Sequence, residues 1–552
     1  MLGSTAVQAA PPVAAYGQLP TLGDLALSPD GTRYAAIMGD GEGAKMLVRT
    51  IADGALVAGA PAGKNKLRDV RWAGNDFLVL TMSQFAQTMS QDPNYVFTGK
   101  GEQEFALIYS FAKKAWVRTL QNLKLTSNTI LAPPTIIEKD GQPQLIARGY
   151  SIPSTTFLST VFRINPASNQ TVTTELGMPG TRNWLIDRDG VAQAQSVYDQ
   201  QSGKWKVMAR RPVGWAEVYS EVAQLDSPAM RLWGKTPGTV IIQSHKSGKW
   251  ENYELALADG TLSAPKPEYD GDGLLARHGT MEAIGTVNIG TETVTYDFWD
   301  ANDARLWRGI SRAFPGALVT LADWTPDRMT VAVNVFGPQY GDAVYIVDRK
   351  AKTANVLGPR YAGIPATDIA PVQYITYKAA DGMEIGAYLT LPLNRPAKGL
   401  PLIVLPHGGP EARDEPGFDW WPQALASRGY AVLQPQFRGS DGFGEALRTA
   451  GYGQWGKAMQ TDLSDGVKHL AAAGTIDPKR VCIAGASYGG YAAMAGVTVQ
   501  QGVYRCASAV AGVSDLGKML ASEIRDAGDS RTEGVRYWKR FMGTESASDP
   551  AL

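Results

Sequence analysis

Turn signals recur along the first two thirds of this chain at intervals of roughly fifty residues, with almost no sustained helical periodicity between them. They are Ser28-Pro-Asp-Gly31, Gly74-Asn-Asp76, Lys139-Asp-Gly141, Asp187-Arg-Asp-Gly190, Lys235-Thr-Pro-Gly238 and Thr325-Pro-Asp327, with a gap near residue 285 that would hold one unmarked unit. An aromatic residue approaches several of them (Trp72, Trp184, Trp324), and β-type runs such as Ala343-Val-Tyr-Ile-Val-Asp348 follow. About seven such units fit between residues 18 and 365. Four strands per unit, arranged in a ring, make a β-propeller, which removes exposed sheet edges by radial repetition. A tandem of β-sandwiches is the alternative for so degenerate a repeat.

The pattern changes near residue 366. A hairpin is predicted from Tyr374-Ile-Thr-Tyr377, the turn Ala380-Asp-Gly382 and Ile385 to Leu391; strands then alternate with helical stretches as far as Cys506 to Ala511. That alternation predicts a mostly parallel α/β sheet, which binds ligands at the carboxyl ends of its strands. The expected division is therefore residues 1–17, a short N-terminal tail; 18–365, the propeller; and 366–552, an α/β-hydrolase domain lacking its C-terminal part.

Within the second half, Val481-Cys-Ile-Ala-Gly-Ala-Ser-Tyr-Gly-Gly-Tyr491 breaks from an apolar run into Gly485-x-Ser487-x-Gly489 and then a good helix start. Strand, sharp turn and helix in that order are the context of a nucleophile elbow, in which a strained serine presents its hydroxyl at the top of a sheet. Acyl transfer also needs donors for the oxyanion, a base, and a group that orients the base. The N–H of Tyr488, at the first turn of the following helix, is one candidate donor. Gly409, in the run His407-Gly408-Gly409-Pro410 after an apolar strand, supplies a second.

The base is not found. The four histidines are His245, His278, His407 and His469, and none follows the serine, as this fold's order of serine, acid and histidine requires. His407 is expected to shape the oxyanion loop, His469 to be a surface or packing residue, and the other two to lie in loops. The sequence is thus expected to stop, at Asp549-Pro-Ala-Leu552, before the last sheet strands, with the triad's Asp and His beyond residue 552 and this chain inactive as it stands.

His407-Gly-Gly-Pro410, Phe437-Arg-Gly-Ser440 with Gly442-Phe-Gly444, Asp462-Leu-Ser-Asp465, Ile476-Asp-Pro-Lys-Arg480 and Gly485-Ala-Ser-Tyr-Gly-Gly490 together resemble the prolyl oligopeptidase family of serine peptidases, in its acylaminoacyl-peptidase-like branch. The resemblance covers residues 370 to 552 in motif and the first half only in architecture. It implies a seven-bladed propeller capping an α/β-hydrolase that cleaves short peptides, with Ser487 as nucleophile and Tyr488 and Gly409 as backbone oxyanion donors. No adjacent Glu-Glu pair occurs in the sequence, which disfavours the type that grips a free amine with such a pair. A carboxylesterase on the same fold and a catalytically degenerate peptide-binding propeller are the competing readings. Arg438 is expected to fix its loop through an ion pair.

Composition narrows the partners. Lys plus Arg and Asp plus Glu are both 53, so nothing points to nucleic acid or an anionic membrane surface, and no apolar run approaches bilayer length. A short peptide is the expected partner; no oligomeric state follows. No cofactor or metal is expected, since Asp270-Gly-Asp272 lacks the distal carboxylate of a calcium loop. The start, ending in Val7-Gln8-Ala9 before a Pro- and Ala-rich stretch, is similar to the tail of a secretory signal, which suggests a periplasmic or secreted protein; an ordinary disordered N-terminus on a cytoplasmic protein is the alternative. Cys482 and Cys506, both in apolar runs, are expected to be buried free thiols.

Overall fold

The computed structural model describes residues 10–39, 41, 43–87, 100–121, 123, 126–153, 157–393 and 395–550. The expected signal-like residues 1–9 lie outside them. Up to Pro359 the chain forms seven antiparallel blades. The first runs from Leu25–Leu27 to Leu56–Pro61. The second (Lys66–Ala73 to Ala115–Arg118) and third (Thr135–Lys139 to Thr171–Leu176) are joined into one nine-stranded sheet by Thr126–Ile130, which pairs with both. The fourth (Thr181–Ile186 to Trp215–Val222) and seventh (Leu318–Trp324 to Thr353–Pro359) have four strands. The fifth (Ala229–Trp233 to Glu251–Ala256) and sixth (Gly273–Ala276 to Val294–Phe298) have three. Each turn signal read from the sequence joins the first strand of a blade to its second, and the unmarked unit is the sixth blade, which turns through Arg277 to Glu282.

The aromatic residue before the turn has a physical role. Trp72, Trp184 and Trp233 stand on the first strands of blades two, four and five, and each indole N–H donates backwards to the preceding blade: to Ala26 O at 3.0 Å, Ser159 Oγ at 3.0 Å and Ile186 O at 2.8 Å. A bulky apolar plate with one donor suits an interior boundary where a single polar atom must be satisfied. Trp324 of the last blade instead packs on Phe298 of the sixth, their ring centroids 5.0 Å apart. Inner-strand acids add a second staple. Asp24 Oδ2 accepts from Val70 N–H of the next blade at 3.2 Å, and Asp323 Oδ2 of the last blade accepts from Leu27 N–H of the first at 2.7 Å. The ring closes there without a shared strand; Leu25, Leu27 and Ala36 pack directly against Ala332, Val344 and Ile346.

The second half is a six-stranded sheet: β1 (Val372–Lys378), β2 (Glu384–Thr390), β3 (Leu400–Val404), β4 (Ala431–Gln436), β5 (Ile476–Ala486) and β6 (Cys506–Val510) in spatial order β1-β2-β4-β3-β5-β6. The hairpin pairs antiparallel with β4, and the rest is parallel, as the helix and strand alternation requires. Helices α1 (Trp420–Ala426), α2 (Glu445–Thr449), α3 (Ala458–Ala472), α4 (Tyr488–Thr498), α5 (Leu516–Ala527) and α6 (Glu533–Met542) connect or cover it. Leu402, Val404, Leu433, Val481 and Ile483 on the parallel strands are buried with Leu463 of α3 and Ala492 of α4, which makes this the largest apolar core. Strand β6 pairs only with β5 among the described residues, and all five of its residues are exposed. The tail from Ala10 is placed against this half: Val13–Tyr16 forms a helical turn with Tyr16 buried, and Arg428 donates to Pro11 O.

Candidate active site

Strand β5 delivers the chain into Ser487, and α4 begins at the next residue. Ser487 has φ 54° and ψ −119°, a conformation costly for any residue with a Cβ, and its side chain is exposed. The surroundings hold it there. Its N–H donates to Val510 O at 3.0 Å, and its carbonyl accepts from Tyr491 N–H at 3.0 Å. The glycine spacing is enforced by backbone approach on both sides: a Cβ on Gly485 would lie 2.4 Å from Gly489 O, and one on Gly489 would lie 2.2 Å from Pro406 O.

The loop after β3 comes to the serine. A Cβ on Gly408 would stand 3.5 Å from the Ser487 Cβ, and the next residue, Gly409, has φ 119°. Neither Gly409 nor Tyr488 donates its N–H to a backbone acceptor among the described residues. Tyr488 heads a helix, where first-turn donors lack intrahelical partners and the dipole favours negative charge. Two unclaimed donors beside an exposed hydroxyl suit a developing oxyanion.

Each histidine has a placement of its own. His407 stacks on Phe437 at 4.4 Å; its Nδ1–H donates to Gly408 O at 2.8 Å, and its Nε2 lies 2.9 Å from Ser440 Oγ. Desolvation keeps this ring neutral, its pKa pushed down to about 4. It is tied into the loop and, among the described residues, makes no hydrogen bond to Ser487. His469 is exposed on α3, stacked over Tyr377. His278 sits in the turn of the sixth blade, its pKa lowered by burial and by Arg71 and Arg328. His245 lies between the two halves, its Nε2 3.4 Å from Glu445.

Arg438 forms a forked pair with Asp462, at 2.9 and 2.8 Å, and reaches Asp381 at 2.8 Å, so it fixes its loop. That loop carries Ser440, and Ser440 contacts His407. The support of the His407–Pro410 loop therefore runs from Asp462 through Arg438 and Ser440 to His407.

Sequence reasoning missed a second support. Glu411, two residues past Gly409, pairs at 2.9 Å with the buried Arg448 of α2, whose guanidinium lies 3.8 Å from Asp226 in the propeller. Arg540 of α6 pairs with the same Asp226 at 3.0 Å, and Glu533 with Arg182 at 2.9 Å. The propeller is thus wired through charge to the segment that follows Gly409. Further along, Asp414 is pushed up to about 8 by burial and by nearby Asp419, and its Oδ2 is buried with no partner among the described residues. Position next to His407-Gly-Gly-Pro410 was the only sequence signal for these residues; their partners lie hundreds of positions upstream or on another helix.

The cysteine expectation is overturned. Cys482 of β5 and Cys506 of β6 are register partners on adjacent parallel strands, with Cα atoms 4.8 Å apart, and they form a disulfide. Spacing in sequence cannot reveal that two apolar runs become neighbouring strands in register, which is what brings the sulfurs into range. Among the described residues no group of three His, Cys, Asp or Glu side chains is placed to hold a metal. No helix among them is long and apolar enough to cross a membrane.

An elbow serine on an α/β-hydrolase sheet, joined to a seven-bladed propeller, defines a class of two-domain serine hydrolases. The model of the prolyl oligopeptidase family matches residues 416–544. The chain is 30% identical to dipeptidyl aminopeptidase BIII of Pseudoxanthomonas mexicana over 282 residues, 47% of this chain and 41% of that one. It is 37% identical to dipeptidyl peptidase family member 6 of Caenorhabditis elegans over 161 residues, 25% of this chain and 22% of that one. The matched segments thus span less than half of either relative. A puromycin-hydrolyzing peptidase of Mycobacterium tuberculosis shares the fold at a TM-score of 0.63 and 18% identity, over 97% of this chain and 83% of that one. Over residues 416–544 the chain is thus similar to the prolyl oligopeptidase family.

Proposed function

We propose that this chain is a serine peptidase of the family that hydrolyses short peptides or acyl-peptides through an acyl-enzyme on Ser487. The observation that carries the reading is the exposed Ser487 at φ 54°, with the unclaimed N–H groups of Tyr488 and Gly409 on the elements beside it. Ser487 Oγ attacks the scissile carbonyl and its proton passes to a base. The carbonyl oxygen takes the negative charge, which Tyr488 and Gly409 N–H stabilise; the C–N bond breaks and the amine leaves with a proton. Water then repeats the sequence on the ester and frees the acid. Because all four histidines are placed in other roles, the reading expects the catalytic Asp and His outside residues 1–552. Peptide-releasing activities named for the relatives support the substrate class.

The cross-strand disulfide supports an oxidising compartment, so we also propose a periplasmic or secreted location. Ser487→Ala in the full-length protein should abolish both peptide cleavage and fluorophosphonate labelling; turnover that survives this change rejects the assignment. Blocked-peptide anilides turned over at rates comparable with short acyl esters would separate a peptidase from an esterase, which should ignore the amides.

A further inference from the structure

We propose that a cleft between the first two propeller blades binds a small apolar or aromatic carboxylate. The outer strand of blade one reads Leu56-Val-Ala-Gly-Ala-Pro61, and where that strand meets blade two its small residues Gly59 and Ala60 face Met82, Phe105 and Trp116. Deeper in the same interface Trp72 fills the space between the blades. At the outer edge no described residue of that size does, and a cavity of about 550 Å³ remains among the described residues, within the usual range for small-molecule sites.

One charged residue lines it. The Arg118 guanidinium lies 4.0 Å from the Phe105 ring centroid, and its Nη2 makes one long contact, 3.4 Å, to Asn128 O. Its Nε is buried without a hydrogen-bond partner, and no carboxylate pairs with it among the described residues. A fixed, partly desolvated guanidinium with no carboxylate beside it among the described residues matches a carboxylate in charge, which its terminal nitrogens rather than the buried Nε would meet. The aromatic and aliphatic walls select an apolar remainder, and the lack of a second cation among the described lining residues favours a monoanion over a phosphate. The site is separate from Ser487 and stands whether or not the peptidase reading does.

Both a free N-acyl amino acid and the C-terminal residue of a peptide carry this chemistry. Calorimetric titration of the full-length protein with N-acetylphenylalanine, its carboxamide, and an acetylated octapeptide ending in phenylalanine, each also against Arg118→Gln and Ala60→Phe, tests the idea. The acid should bind with a Kd below about 1 mM and the carboxamide at least about tenfold more weakly. Arg118→Gln should bring the acid down to the level of the carboxamide, and Ala60→Phe should remove both by filling the cleft. Octapeptide binding that is lost in Arg118→Gln identifies a peptide end as the ligand; binding of the acid alone identifies a small metabolite-sized acid. Equal affinity for acid and carboxamide, no binding at about 10 mM, or acid binding that survives Arg118→Gln overturns the proposal.

Discussion

The propeller and the hydrolase half hold charge in opposite ways. In the ring, the surface-reaching Asp24 and the half-buried Asp323 each accept a backbone N–H group from the next blade, and desolvation, joined at Asp24 by nearby Asp69, pushes both up to about 6. In the hydrolase half one guanidinium, Arg438, is locked in a fork to the fully buried Asp462. The ring repeats a weak staple, so each loss is local. The hydrolase half hangs the His407–Pro410 loop on one strong pair, so its loss propagates to Ser440 and His407.

The sharpest way to break the comparison is Gly489→Ala. A Cβ 2.2 Å from Pro406 O must push the loop after β3 away from the elbow, and labelling of Ser487 should fall to background. No single glycine change outside the blade interfaces of the ring should do this.

Next in size, Arg438→Met and Trp184→Ala should each destabilise their own half by about 3–5 kcal/mol, the first by stranding a buried carboxylate and the second by opening a cavity. They should differ in reach. Arg438→Met is expected to depress kcat along with stability, whereas Trp184→Ala should leave Ser487 labelling unchanged below its unfolding transition. Equal effects on labelling would show that the two halves do not partition as described.

Reduction of the disulfide, or Cys482→Ser with Cys506→Ser, should cost about 3 kcal/mol, as expected for closing a loop with a sequence separation of 24. Because Val510 O at the end of β6 holds the Ser487 N–H, labelling rate should drop with it; denaturant unfolding with and without a thiol reductant measures the first effect.

The smallest change has the opposite sign. A carboxyl whose pKa rises on folding binds more protons folded than unfolded. The contribution of Asp323 to stability is therefore full below 3.8 and is lost as the pH climbs through about 6. Asp323→Asn keeps an oxygen to accept the Leu27 N–H. It should flatten that slope and, at pH 7, equal or exceed the native propeller by about 1–3 kcal/mol. A variant that is less stable at pH 7 would show that Arg71 and Arg328 outweigh desolvation.

Much of this could be read from the chain. The turn signals mark the first hairpin of each blade because Gly, Asp and Pro there set backbone angles locally. Ser487, with its flanking glycines, is legible for the same reason. The roles of Arg438 and His407 were readable in outline, since both lie in short runs whose neighbours fix their surroundings. Glu411, Arg448 and Asp226 were not, because no local signal says which distant partner a half-buried acid will meet.

The amino-acid order by itself determined the ring of β units, the α/β half and the elbow, all of which rest on local backbone preference and on periodicity. Only the tertiary structure decided that Cys482 meets Cys506, that Trp72, Trp184 and Trp233 donate backwards across blades, and that Asp226 meets Arg448, the partner of Glu411. These depend on strand register and domain docking, which are set by the summed packing of distant segments rather than by any one of them.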